Sequence, residues 1–319
     1  MEQSAKMKKR GQINVVIKSS NKGRGEEEGY SLPNSANSPF LEHKVYMKIM
    51  KEFDRYVGLD SMKGFVHELY AWLYLNKQRE EKGLKVGKQS LHMVFKGNPG
   101  TGKTTVARLI AMMLKEMEVL EKGHFLEVDR ADLVGEYIGH TAQKTRDLVE
   151  KAMGGVLFID EAYSLARGGE KDFGKEAIDT LVKLMEDQQH QFVLILAGYP
   201  IEMNHFLRLN PGLPSRFPMI VSFPNYSVSE LLQILKEMAW ERDYDIKPDS
   251  LTYVNEILEV AKEYQKDRFS NGRFIRNLLE KAIRMQAVRL LKEGSFHKEA
   301  LLTLVKDDFS KAFNNVLLD

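Results

Sequence analysis

The chain has 319 residues, 43% of them hydrophobic, enough for one large domain with its own core plus a smaller one. Its 47 basic and 45 acidic side chains leave a net charge of +2, so bulk charge gives no argument for nucleic acid or a membrane surface as partner. Cysteine is absent, which excludes disulfides and thiolate metal sites and fits a reducing cytoplasm. No apolar run approaches a membrane span, and the amino terminus MEQSAKMKKR is basic with no apolar stretch behind it, so the expected protein is cytoplasmic, unexported and unanchored.

Residues 1–40 read as a flexible amino-terminal arm. GQINVVIKSS carries one short strand signal, and NKGRGEEEGYSLPNSANSPF is polar, broken by Gly and Pro, and too poor in apolar residues to pack. From Leu41 to Tyr56 the pattern is helical, VGLD (Val57 to Asp60) interrupts it, and a longer amphipathic helix follows through Met62, Phe65, Leu69 and Leu73. Leu91, Met93, Val94 and Phe95 then form an apolar run that passes into a glycine-rich turn and a helical pattern from Lys103 to Met117. The turn, Gly97-Asn98-Pro99-Gly100-Thr101-Gly102-Lys103-Thr104-Thr105, fits G-x-x-x-x-G-K-[ST]. Its glycines permit backbone conformations barred to other residues, so successive N–H groups turn inward and wrap a polyphosphate at a helix amino terminus. Lys103 then falls on the β- and γ-phosphates and Thr104 on Mg²⁺. An ordinary glycine-rich loop is the bland alternative, and it leaves the strand before and the helix after unexplained.

Further strands are expected at Phe125–Val128, Val156–Ile159, Phe192–Ala197 and Met219–Phe223, with helices from about Gln143 and over Lys175–Asp187. Strands alternating with helices across residues 91–223 indicate an α/β domain with a doubly wound parallel sheet, whose ligands bind at the strand carboxyl ends. Beyond Pro224 the character changes: Ser227-x-x-Glu230 is a capping box, and helical patterns continue through Leu251–Tyr264, Phe274–Leu291 and Asp307–Val316 with no strand signal. The expected organisation is therefore an arm (1–40), an α/β nucleotide-binding domain (41–224) and a small all-helical domain (225–319).

Asp160 and Glu161 directly follow the most continuous apolar strand. In a phosphate-loop enzyme the first holds Mg²⁺ through water and the second orients and polarises the attacking water. Two solvated loop acids are the alternative, and the phosphate loop upstream in the same sheet weighs against it. Eight histidines supply no metal constellation, and the phosphate loop with its acid pair points to phosphoryl transfer to water.

GNPGTGKTT, VLFIDEAYSLARGG and NPGLPSRF, in that order and followed by SNGRFIRN, resemble the AAA+ ATPases of the CbxX/CfxQ family over about residues 45–315. The resemblance implies the AAA+ form of the P-loop NTPase fold with a helical lid. It places Val57, Gly58 and Leu59 in the adenine pocket, and Arg216 as the arginine finger toward a neighbouring subunit's ATP, with Arg208 as rival. Arg273 matches the lid arginine called sensor 2, with Arg276 one turn further on. Tyr137, Ile138 and Gly139 match the pore loop that grips a translocated polypeptide, a buried tyrosine being the alternative. Where many relatives carry a sensor 1 asparagine this chain has Gly198-Tyr199, which leaves the role of Tyr199 open. The implied partners are further copies of the chain in a ring, a hexamer, and a protein substrate, with no nucleic acid or membrane. The similarity is strongest to the sporulation members of the family, so spore formation is the implied setting. A nucleic-acid motor or loader and an ATP-dependent assembly scaffold are the rival readings.

Overall fold

Continuous apolar runs become the inner strands of a parallel sheet. In the computed structural model, which describes residues 13–15 and 43–316 apart from 88, 138, 168–171, 189, 210 and 211, six strands form this sheet. They are β1 (Ile13–Val15), β2 (Met93–Gly97), β3 (Phe125–Val128), β4 (Val156–Ile159), β5 (Val193–Gly198) and β6 (Met219–Phe223), in the order β1-β6-β2-β5-β4-β3. The pairs β1–β6, β2–β5, β5–β4 and β4–β3 are parallel, with Phe95 opposite Ala197 and Ile159 opposite both Leu196 and Val128. Every residue of β4 and β5 is buried, as expected of strands covered on both faces. At the β3 edge Glu127 is exposed instead. The strand signal in GQINVVIKSS is β1; the rest of the expected arm lies outside the described residues.

The chain divides into two compact units. The first comprises the described residues of Met1–Gly25, Glu68–Lys96 and Ile110–Ser222. Its core joins Leu157, Ile159, Leu194 and Leu196 of the sheet to Val149 of the helix His140–Ala152, Leu181 of Gly174–Asp187 and Phe206 of Pro200–Leu209. Just ahead of β2, His92 is buried, and its Nδ1 accepts the Leu194 N–H at 2.9 Å. The rings of Phe192 and Phe217 lie 5.3 and 6.2 Å away, and burial pushes the imidazole pKa down to about 4. It is neutral at pH 7.

The second unit comprises the described residues of Glu26–His67, Gly97–Leu109 and Phe223–Asp319. Its carboxyl-terminal part contains the helices Val228–Trp240, Pro248–Gln265, Asn271–Glu293, Lys298–Leu302 and Lys306–Val316 around Leu235, Leu258, Leu278, Leu279 and Phe309. Ser227 opens the first with the expected capping box: its Oγ accepts the Glu230 N–H while Glu230 Oε2 accepts the Ser227 N–H. Sequence periodicity gave helices alone here, but the structure adds β7 (Asp245–Ile246) and β8 (Thr303–Leu304), a parallel pair of two-residue strands. Two residues are too few to show a period. Asp308, fully buried, accepts from Arg289 Nε and Nη2 at 3.0 Å each, which braces the helix Lys306–Val316 against Asn271–Glu293. Among the described residues no helix is long and apolar enough to cross a membrane.

Candidate nucleotide site

In the second unit, the glycine loop leaves β2 at Gly97 and enters the helix Lys103–Glu116. Gly100 and Gly102 have φ of +68° and +89°, left-handed values open to glycine at little cost. Close approach gives Gly100 a second reason: a Cβ there would stand 2.4 Å from Ser270 O and 2.6 Å from Arg273 N. The Thr101 hydroxyl donates to Asn98 O at 2.8 Å and tightens the turn. Lys103 Nζ folds back over the loop and donates to Gly97 O and Asn98 O, both at 2.8 Å. The helix carries no acidic residue in its first turn, so its positive dipole end is left for an anion from elsewhere. These features fit a polyphosphate.

Val57, Gly58 and Leu59 form the turn between the helices Lys44–Phe53 and Asp60–Glu81. A Cβ on Gly58, at φ +71°, would stand 2.6 Å from the Tyr226 ring. One on Gly102 would stand 3.1 Å from Leu59 Cδ2 and 3.2 Å from the Tyr226 hydroxyl. The expected adenine segment and the phosphate loop therefore meet on Tyr226, a residue that sequence reasoning missed. Burial, then the Glu230 carboxylate, raises the Tyr226 pKa to about 12, so the hydroxyl stays protonated. Arg273, in the first turn of Asn271–Glu293, donates its backbone N–H to Ser270 O, and its side chain is exposed, as is that of Arg276.

In the first unit, Asp160 extends β4 by one step, its N–H donating to Val128 O at 3.2 Å. Its Oδ1 accepts the Glu161 N–H at 2.9 Å. Glu161 has φ +46° and ψ +42°, a left-handed conformation that costs a residue with a Cβ on the order of 1–3 kcal/mol and persists where surroundings over-determine it. The surroundings are identifiable. The 3-10 turn Ala162–Ala166 starts with Ser164 N–H donating to Glu161 O, and Arg130 clamps that turn. Arg130 Nη1 donates to Ser164 O at 2.6 Å and Nη2 to both oxygens of Asp172 at 2.7 Å. Burial opposes ionisation of Asp172, but Arg130 and the Gly174 N–H hold its carboxyl below the usual range. Neither Arg130 nor Asp172 belongs to a motif that would have marked it.

Tyr163, on the same turn, packs its ring 5.7 Å from that of Tyr199 and 4.7 Å under the Arg167 guanidinium. Its pKa is raised by burial, then by Glu161 and Tyr199, so it is un-ionised. A Cβ on Gly198 would stand 2.7 Å from the Tyr163 ring, which accounts for glycine at that position. Tyr199 is thus an aromatic neighbour of the turn that carries Glu161.

Arg216 closes the short helix Leu213–Arg216, donates Nη1 to Gly212 O at 2.7 Å and forms a close ion pair with Glu186 through Nη2. Arg208 is exposed in the last turn of Pro200–Leu209. Tyr137 is 65% exposed, which removes the buried-tyrosine alternative, and its ring meets that of His140 edge-on, 5.3 Å between ring centres. Gly139, at φ +81°, caps the helix His140–Ala152, and Ile138 lies outside the described residues.

Residues 93–225 match the ATPase family associated with various cellular activities (AAA), and residues 227–317 match the AAA lid domain. Stage V sporulation protein K of Bacillus subtilis (strain 168) is 54% identical over 97% of this chain and 97% of its own length. Protein CfxQ of Xanthobacter flavus is 42% identical, with 84% of each covered. The chloroplastic ribulose bisphosphate carboxylase/oxygenase activase of Cyanidioschyzon merolae (strain NIES-3377 / 10D) is 40% identical, with 85% of this chain and 90% of the relative covered. Among solved structures, a mutant of RuvB from Thermotoga maritima superposes with a TM-score of 0.55 at 21% identity, covering 83% of this chain and 73% of that one, a likeness of fold.

Proposed function

The chain belongs to the AAA family of ATPases, in the CbxX/CfxQ group, and hydrolyses ATP; from that premise we propose a Mg²⁺-dependent ring ATPase that pulls on or remodels a protein. The observation that carries this reading is the glycine loop with Lys103 laid over its own carbonyls, at a helix end free of acidic side chains. Its expected domains are the arm (1–40), the nucleotide-binding domain (41–224) and the lid (225–319).

Gly97 to Thr105 wrap the phosphates, and Lys103 exchanges its loop carbonyls for the β- and γ-phosphates. Val57, Gly58 and Leu59 face the adenine. Thr104 and Asp160 are the residues that would hold Mg²⁺, which when bound would supply charge neutralisation to the phosphates. Glu161 orients a water and accepts its proton as the water oxygen bonds to the γ-phosphorus. The bond from that phosphorus to the β–γ bridging oxygen breaks, and its electron pair leaves with ADP. Arg216, released from Glu186, stabilises this charge on a neighbouring subunit's nucleotide, which requires a heterologous interface that closes into a ring, a hexamer. Arg273, whose backbone abuts Gly100, reports loss of the γ-phosphate to the lid. Exposed Tyr137, with Ile138 and Gly139, grips the polypeptide.

The sporulation protein named above makes spore formation in the cytoplasm the setting we favour. A net charge of +2 gives a nucleic-acid motor no support, and a scaffold that only binds ATP has no need of Glu161. Glu161→Gln should trap bound nucleotide, and its mass by light scattering should rise to that of a ring only with Mg·ATP. A monomer that binds Mg·ATP tightly and never assembles would remove the ring, the Arg216 finger and the pore loop together.

A further inference from the structure

Asn271 is fully buried at the start of the helix Asn271–Glu293 and has φ +45°. Among residues with a Cβ, asparagine is one of the few that visit this region routinely. Its carboxamide has one possible orientation. The Tyr226 N–H donates to Oδ1 at 3.0 Å, so Nδ2 faces Phe269 O at 2.9 Å, Asn225 Oδ1 at 2.9 Å and Pro99 O at 3.3 Å. Two protons serve three acceptors, and Pro99 takes the longest bond. Asn225 Oδ1 accepts a second time, from Asn98 Nδ2 at 2.9 Å. The bonds close a ring from Asn98 through Asn225 and Asn271 to Pro99, which the 98–99 peptide completes. One residue on, the Gly272 N–H donates to Gly100 O at 3.1 Å.

We propose that Asn271, with Asn225, is a positioning residue that holds the phosphate loop in its nucleotide-binding shape; the proposal rests on the nucleotide reading above. Each tie uses a loop carbonyl or the Asn98 side chain, never a loop N–H, so the amides that wrap a phosphate are not consumed by it. A glycine-rich loop otherwise loses backbone freedom when a ligand orders it, and that entropy is subtracted from binding. A loop already ordered by the ring binds tighter without any new contact to the nucleotide. The ring therefore acts on affinity and KM for ATP, not on kcat at saturation.

The test uses the full chain with fluorescent Mg·ATP binding, steady-state kinetics and apo melting for Asn225→Ala, Asn271→Gly and Lys103→Ala. Asn225 is exposed, so its truncation leaves the fold standing; Asn271→Gly keeps the left-handed backbone available. Asn225→Ala should raise Kd and KM about tenfold, the equivalent of one net hydrogen bond, with kcat and apo melting temperature near wild type. Asn271→Gly should raise both at least as much. Wild-type affinity in Asn225→Ala overturns the proposal, and so does a loss of affinity matched by a fall in its melting temperature, which makes the ring a brace of the fold. Lys103→Ala separates the two levels. If it loses Mg·ATP while the asparagine variants bind normally, only the ring fails; if it still binds Mg·ATP, the nucleotide reading itself fails.

Discussion

Single residues set two thresholds in this molecule. His92 gives up its proton to be buried, so its stability contribution is complete above the unfolded pKa of 6.5 and is lost as pH falls from there toward its folded value of about 4. Over that window the loss from this one group approaches roughly 3 kcal/mol. His92→Asn keeps an acceptor for the Leu194 N–H but does not titrate, so urea denaturation between pH 7 and 4.5 should show a shallower decline in the variant. The buried Asp308 is the second. Asp308→Ala leaves the Arg289 guanidinium, only 17% exposed, without its main partner, and should cost about 3–5 kcal/mol by the same assay.

At the scale of elements, the turn after β4 and the helix Asn271–Glu293 each bond to a segment proposed for the site: the first carries Glu161, the second ties to Pro99 and Gly100 of the glycine loop. Glu161 sits in a left-handed conformation because the 3-10 turn after it is pinned, and the pin is Arg130 on Ser164 O and Asp172. Arg130→Ala removes the pin without touching the glycine loop. Its kcat should fall roughly ten- to a hundredfold through misplacement of Glu161, with KM for ATP little changed. Equal losses in binding and turnover would show that the pin supports the whole fold and not the acid. The pair of β7 and β8 is the smallest element, and the buried Gln286 amide beside it donates to the carbonyls of Ala300, Leu301 and Thr303.

At the scale of the whole molecule, the proposed ring is tested through Arg216, the residue proposed to act on a neighbouring subunit's nucleotide. In the single chain Arg216 is engaged by Glu186, so service in trans exchanges one anionic partner for another. Arg216→Ala and Lys103→Ala proteins should each be inactive. Mixed, they should recover measurable ATPase at interfaces where an intact finger meets an intact loop. No recovery at any ratio would confine Arg216 to its pair with Glu186.

The strand, glycine loop and helix around Lys103, the apolar strand before Asp160 and the capping box at Ser227 were all legible in order along the chain. Their physics is local: backbone conformation, side-chain period and dipole act over a few residues, and a sequence displays them directly. Tyr226 against Gly58 and Gly102, Arg130 on Asp172, 42 residues away, and Asn271 on Pro99, 172 away, were not. Nothing in the pattern of an asparagine or an arginine announces its partner. Those pairings exist only once the folded chain brings distant carbonyls and carboxylates within about 3 Å, the range over which a hydrogen bond selects its geometry. The sequence alone thus determined the class of chemistry and the fold that supports it, whereas the tertiary structure decided which side chains hold the loop and the acid pair in place.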